Sequence, residues 1–466
     1  MTIRTLSRSS VLRGASVARD GRPVNASPFH AAARVLLMAT ILGAPWAFGA
    51  VQSWAWGALM VLAFLTLLLW AVGSAQRGVL SVSWSPLYWP FLGFLLIAAV
   101  QLFAGLTADH VATREAVLKL ATNFVLFFLA GQLITFTQSE NGRSFKRWGM
   151  VVTLLAFGLS VLALAQVMTT GHGLIYWSVR THFGPFGPYV SPNDYCGLME
   201  MLIPIAVGYI LSGSSPWVPR PVLWLGVGVG LASIVISGSR GGVAVVLAEL
   251  LFFGFIIFRY RPQGSWHRAF PLVVGLVLIS AGVIGWMASA GRIGNRVLSF
   301  IQSDNSFQMK VGDRIWVARD TLRIARSHPC LGAGVGTFDT VFPAYMTHPS
   351  DMHWTHAHND FVEGLAETGL AGGALMLWGF VLFFRRALLH IPERLRTGWG
   401  WIPMGAVVGV VGLLCHSLVD FNLRVPANAA WFVVCVAVAT CPRPSSDRPL
   451  RVARQADAER HEGFLT

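Results

Sequence analysis

The sequence predicts an all-α polytopic membrane protein with about twelve transmembrane helices. Two observations carry this reading. Of 466 residues, 54% are hydrophobic and only 12% charged, where a soluble domain carries about 25% charged residues. The 35 basic side chains, against 21 acidic ones for a net charge of +14, also recur at fixed places between the apolar runs.

Taken in order, the chain opens with an Arg-rich, acid-poor stretch over 1–34. It resembles a transit peptide in composition, but the long apolar run that follows contains Pro45 and Trp46. We read a disordered cytoplasmic tail and an uncleaved first span. Apolar runs of ~20 residues, the length that crosses a bilayer, fall near 35–52, 54–73, 87–106, 117–136, 148–169, 194–213, 221–237, 241–258, 270–290, 361–384, 400–419 and 426–441. Arg143, Lys146 and Arg147 follow the fourth run, Arg259, Arg261 and Arg268 the eighth, and Arg385, Arg386, Arg394 and Arg396 the tenth. With basic termini as well, this pattern places both ends inside. The charge is therefore a topology signal, and nucleic acid is not needed as a partner. We divide the chain into a tail (1–34), N-terminal membrane helices (35–220), a core (221–384) with a large outer loop (291–357), C-terminal membrane helices (385–441) and a second cytoplasmic tail (442–466).

The outer side receives three polar segments. The stretch from Thr170 to Asn193 is too rich in glycine and proline for a regular helix. Ser237 to Gly242 forms a tight turn. The long loop is basic, but long loops translocate regardless of charge, and an Arg-rich outer surface suits an anionic substrate. Within it, 313–326 has helical periodicity, with Ile315, Ala318, Leu322 and Ala325 as the expected apolar face. Arg319, Arg323 and Arg326 then project from the other side, the first two as candidates for substrate contact. Arg314 lies at the edge of the apolar face and needs an anionic partner. Ser327 to Pro329 ends the helix.

The densest polar cluster is Thr355 to Gly372, where His356, His358, Asn359, Asp360, Glu363 and Glu367 lie at the point of membrane re-entry. Titratable groups at a bilayer boundary are costly, so their default reading is functional. Arg240 sits in Gly238-Ser239-Arg240-Gly241-Gly242, where glycines let a ligand approach the backbone and a guanidinium suits phosphate. Gly332 to Gly336 looks like a dinucleotide fingerprint but lacks the βαβ context; we read a close-approach turn. His348, His353, His356 and His358 include a His-x-His pair, yet no matching ligand set accompanies them, and no metal or other cofactor is expected. Asp420 and Arg424, one turn apart, are expected to neutralise each other. Cys415, Cys435 and Cys441 are read as small hydrophobes, and Cys196 and Cys330 as unpaired.

Four motifs together resemble the O-antigen ligase and polymerase superfamily of polytopic bacterial glycosyltransferases. They are Ser239 to Gly242, Arg314 with Trp316, Pro329 and Gly332 to Phe338, His356 to Asn359 running on to Gly369-Leu370, and His416 to Pro426. The chain departs from the family pattern at Ser191 to Tyr195, where a more asparagine-rich sequence is expected. The resemblance implies a GT-C-like fold and transfer of a glycan from undecaprenyl pyrophosphate to a glycan or lipid acceptor hydroxyl, at the periplasmic face of the inner membrane and without a metal. It assigns Arg240 and Arg314 to the pyrophosphate and His358 to the acceptor, as base or orienting group. His356 and Glu363 support His358, and Asn359, Arg319 and Arg323 contact substrate. A repeat-unit polymerase is the alternative within this chemistry. A flippase or exporter of the same lipid is the alternative outside it, though such a protein places charges mid-span and Glu249 is the conspicuous one here.

Overall fold

The computed structural model of the protein describes residues 2–3, 27–77, 79–80, 82–135, 142–170, 174–180, 184–213, 218–260, 311–348, 353–389 and 391–441. The expected span 270–290, the first part of the outer loop and most of both tails lie outside the described residues.

The described chain is helical almost throughout. The helices are α1 (Pro28–Gly43), α2 (Ser53–Gln76), α3 (Tyr88–Phe103), α4 (His110–Ala130), α5 (Arg143–Thr170), α6 (Pro192–Leu211), α7 (Arg220–Ser237) and α8 (Arg240–Tyr260). After the undescribed stretch come α9 (Val311–Ser327), α10 (Phe338–Val341), α11 (Asp360–Leu388), α12 (Ile391–Arg396), α13 (Trp401–His416) and α14 (Pro426–Ala439). Among the described residues, eight helical stretches are long and apolar enough to cross a membrane. Three shorter apolar helices, α3, α13 and α14, coincide with further expected spans. The first helix begins at Pro28, ahead of the expected 35, because proline at the first helical positions is pre-organised for a helix start. Arg34 therefore belongs to the first membrane helix and not to the tail. The Gly/Pro-rich stretch before α6 forms no helix in its described part; Leu174–Ile175 pairs with Val179–Arg180 instead.

Burial orders the bundle. In α6, 94% of the membrane-length window is buried, against 28% in α11, so α6 is the central post and α11 faces outward. Glycines set how closely α13 lies along α6: a Cβ on Gly405 or Gly409 would strike the backbone of α6 around Pro204 and Met201, and one on Gly208 would strike the Trp401 carbonyl. Close approach through small residues is the usual means of holding membrane helices together, where lipid removes the hydrophobic drive.

A second, smaller core lies over one end of the bundle, built from Val317, Ile324, Ala333, Phe338, Phe342, Trp354, Ala357 and Ala366. The buried side of α9 is Val317, Asp320, Thr321 and Ile324, while Ile315 is 65% exposed. The apolar face expected at Ile315 is thus nearly opposite the one used. Asp320, an apparent polar residue, is consumed by the backbone and hydroxyl of Thr347 at 2.8 Å each, which makes the other face buriable. Pro329 to Gly334 docks on a break in α11 at Gly369, which has φ 62° and ψ −162°. Leu370 N–H donates to the Pro329 carbonyl (2.8 Å) and Ala333 N–H to that of Ala366 (3.0 Å). Gln101 of α3 donates to the Glu367 carbonyl and accepts from Val335 N–H. The Gly332 to Gly336 segment is a close-approach turn against protein backbone, as Gly332 packs directly on Glu367.

Candidate functional site

The site forms where the start of α11 is stitched to the loop after α13. Asn359 caps α11, its side-chain oxygen accepting from Phe361 N–H and Val362 N–H at 3.1 and 3.0 Å. Its amide donates to the Leu418 carbonyl at 2.8 Å, and Asp360 N–H donates to the Ser417 carbonyl at 2.9 Å. Asn359, expected to touch substrate, thus spends its hydrogen bonds on capping and stitching.

That stitching sets His358 beside Asp420. His358 Nδ1 lies 3.1 Å from Asp420 Oδ1, and Arg314 Nη1 lies 3.7 Å from Asp420 Oδ2 while donating to the Val419 carbonyl at 2.6 Å. Asn193 Nδ2 donates to Oδ2 at 2.5 Å, and Phe421 N–H donates to Oδ1 at 3.0 Å. Asp420 is only 2% exposed. Burial pushes its carboxyl up, but the His358 hydrogen bond and the Arg314 charge outweigh burial and hold it below the usual carboxylate range. His358 has φ +49°, a left-handed conformation rare outside glycine that costs about 1–3 kcal/mol and clusters at functional sites. Its ring stands edge-on to Trp354 and Phe421.

Beside this lies a second knot, centred on Arg424. Its Nε is 3.3 Å from Glu363 Oε1 and 3.8 Å from Asp360 Oδ1, and its Nη2 is 2.8 Å from Glu367 Oε2. Burial opposes the Arg424 charge, and the three carboxylates more than offset it, raising its pKa. His356 Nδ1 donates to Glu363 Oε1 at 2.9 Å, and Ala357 N–H donates to Oε2 at 2.7 Å. Burial alone would lower the His356 pKa; the Glu363 charge and hydrogen bond reverse this and raise it. The expected Asp420–Arg424 pair does not form. Residues 417–425 are not an α-helix, so four positions of separation do not bring the two side chains together, and each finds separate partners.

Arg240 heads α8 with an exposed side chain and no carboxylate partner among the described residues. The glycines after it serve protein packing. A Cβ on Gly241 would lie 2.7 Å from His416 Nε2, and one on Gly242 2.6 Å from Cys196 Cβ. His416 Nδ1 in turn donates to Glu200 Oε1 at 2.8 Å, both groups being almost fully buried. The structure thus brings Arg240 to the same end of the bundle as Arg314 and His358, through a His416–Glu200 pair that sequence reasoning did not single out. Arg319 projects outward, exposed, and Arg323 is 3.6 Å from Asp320. The other loop histidines go elsewhere: His353 meets Asp339 at 2.7 Å and His348 stacks on Trp316. Among the described residues no group of three or more His, Cys, Asp or Glu side chains is placed to hold a metal ion. Among the described residues the cysteines form no disulfide.

Sequence reasoning missed Asp420, Asn193 and Arg424 as members of this network. The available signal was chemical: Arg314, His358 and the carboxylates of α11 all lacked partners nearby in sequence, and the polar loop after α13 was the obvious supplier.

The helices and this polar end define a multi-pass membrane protein with a histidine–aspartate–arginine constellation at one end of its bundle. Residues 225–377 match the family described as O-Antigen ligase. The match supports an O-antigen ligase or polymerase type of function in surface polysaccharide biosynthesis. No curated protein matches the chain.

Proposed function

We propose that the protein is an inner-membrane glycosyltransferase that moves a glycan from undecaprenyl pyrophosphate to an acceptor hydroxyl on the periplasmic face. The observation that carries this reading is Asp420, which is bonded to His358 Nδ1 and also lies 3.7 Å from Arg314. A carboxylate on Nδ1 fixes the tautomer in which Nε2 is unprotonated, the form that accepts a proton. Nε2 has no hydrogen-bond partner among the described residues. His358 then takes the acceptor hydroxyl proton as the acceptor oxygen bonds to the anomeric carbon. The bond from that carbon to the pyrophosphate oxygen breaks, and the negative charge gathers on the departing lipid pyrophosphate. Arg240, without a carboxylate partner among the described residues, and Arg314, which stands 3.7 Å from Asp420, stabilise that charge. His356 and Glu363 brace the loop that carries His358. No step is assigned to a metal, because the arginines supply the positive charge.

Deleting the gene and profiling surface glycans tests the class of reaction, and complementation with Arg240→Ala, Arg314→Ala and His358→Ala tests the residues. Loss of glycan attachment to its lipid acceptor marks a ligase; short chains that remain attached mark a polymerase. Surface glycans unchanged in length and attachment would sink the proposal. Full complementation by all three variants would sink the residue assignment alone.

A further inference from the structure

The end of the bundle opposite the site holds a basic notch that the glycan chemistry does not use. His30 of α1 is 6% exposed and sits flush against Gly73 of α2. Arg77, just after α2, donates from Nη2 to His30 Nε2 at 2.5 Å, and Ser74 Oγ lies 3.4 Å from the same nitrogen. An imidazole nitrogen that accepts from a guanidinium is unprotonated, so His30 adds no charge. Arg34 is on the same side of α1, one turn along, and the Arg34 and Arg77 charges repel each other. Arg34 Nε and His30 Nδ1 are buried without a hydrogen-bond partner, and no carboxylate pairs with either arginine among the described residues.

Two guanidiniums held together against their mutual repulsion, one with a buried unsatisfied N–H, make a site without a counter-ion among the described residues. We propose that this notch binds the phosphate of an anionic phospholipid of the inner leaflet. A guanidinium fork matches phosphate oxygens bidentately, and Arg77, exposed at the end of α2, commits only Nη2 to His30 among the described residues. The position favours lipid over a soluble ion. The notch lies at the ends of two membrane helices, where headgroups sit, and at the end of the bundle that also carries Arg143, Arg259 and Arg385. Basic residues at that level are the usual means of holding anionic lipid. This inference stands apart from the glycosyl-transfer reading, since none of its residues enters that site.

The test uses the full chain purified into phosphatidylcholine nanodiscs and titrated with phosphatidylglycerol, bound lipid being read by native mass spectrometry. Arg34→Gln/Arg77→Gln should bind phosphatidylglycerol about thirtyfold more weakly than the unaltered protein, the change expected for two basic residues near a lipid surface. Arg143→Gln/Arg147→Gln, which removes two exposed arginines at the same end, should bind as the unaltered protein does. Equal losses in both doubles mean diffuse attraction and overturn the proposal, as does unchanged binding in the first. Inorganic phosphate at millimolar concentration should not displace the lipid; full displacement identifies a free anion as the ligand and overturns the lipid source. Tighter lipid binding in Asp20→Asn would show that the chain's own carboxylate occupies the notch, and overturns it too. If the first double does not fold, Arg77→Gln alone, at an exposed helix end, should still weaken binding about fivefold.

Discussion

Replacing Asp420 by asparagine removes one negative charge and keeps the shape of the side chain. Asp420 is 2% exposed, accepts from His358 at 3.1 Å and faces Arg314 at 3.7 Å. When His358 takes a proton, the bond to Asp420 becomes a salt link, and a hydrogen bond to a charged group contributes about 1.5–3 kcal/mol. At about 1.4 kcal/mol per decade of rate, that is about tenfold to a hundredfold. The carboxamide adds a second cost, because its NH₂ can face Nδ1 and favour the tautomer with the proton on Nε2. In hydrolase triads, this exchange costs on the order of 10⁴. The expected loss for Asp420→Asn is therefore on the order of 10²–10⁴. The assay is transfer of a fluorescently tagged glycan from its lipid-linked donor in detergent, with initial rates taken at matched amounts of folded protein. His358→Ala combined with Asp420→Asn should lose no more than His358→Ala alone, since the two act as a unit. A rate for Asp420→Asn within about threefold of the unaltered protein, alongside a dead His358→Ala, would refute the idea that Asp420 orients the base.

Three further perturbations probe the surrounding network. Arg424→Met leaves Asp360, Glu363 and Glu367 buried without their cation and should cost about 3–5 kcal/mol, read as a fall in the thermal midpoint in detergent. Arg424→Lys should recover only part of it, because one ammonium does not reproduce the fork that serves Glu363 and Glu367; full recovery would refute the fork argument. Gly241→Ala puts a methyl about where His416 Nε2 lies, 2.7 Å from the ideal Cβ position, and should destabilise by about 1–3 kcal/mol. Lost activity with an unchanged midpoint would instead restore a ligand-approach role for that glycine. The raised His356 pKa stabilises the fold below the ordinary histidine value of about 6.5 and loses that contribution as pH rises through the folded value. After correction for intrinsic rates, hydrogen exchange at Ala357 N–H should accelerate as pH rises above the ordinary histidine value of about 6.5 in the unaltered protein and stay level in His356→Gln.

The membrane class and the helix runs were legible because a bilayer demands long apolar segments whatever their neighbours are. The grouping of Arg314 with the histidine motif was also legible, since an arginine at the edge of a buried face must find an anion. Finer assignments failed where a tertiary partner changed the meaning of a residue. Thr347 satisfies Asp320, which lets that side of α9 be buried and leaves Ile315 exposed. Asn359, expected to contact substrate, caps α11 instead; capping and ligand binding draw on the same residue types. The glycines beside Arg240 looked like a ligand approach for a parallel reason: a glycine reports that something comes close, without saying whether it is substrate or another helix.

The Asp420–Arg424 spacing shows how the site depends on a failure of helical order. Were 417–425 a helix, these side chains would neutralise each other, and neither His358 nor Glu363 would be served. Phe421 instead takes φ −115° and ψ 41°, and only the single 3₁₀ turn Asn422–Arg424 precedes α14. This turns Asp420 toward His358 and Arg314, and Arg424 toward the carboxylates of α11. One short loop thereby feeds two hubs of opposite sign. The Arg424 hub is closed, with three acids around one cation, and suits a rigid floor. The Asp420 hub is more open, since Arg314 stands off at 3.7 Å and His358 keeps Nε2 unused. Chemistry belongs at the open hub, where a departing anion can compete for the arginine, and stiffness at the closed one. A variant that merges the hubs by making 417–425 helical should therefore lose glycan transfer even if the bundle keeps its thermal midpoint. Normal transfer in such a variant would refute this division of labour.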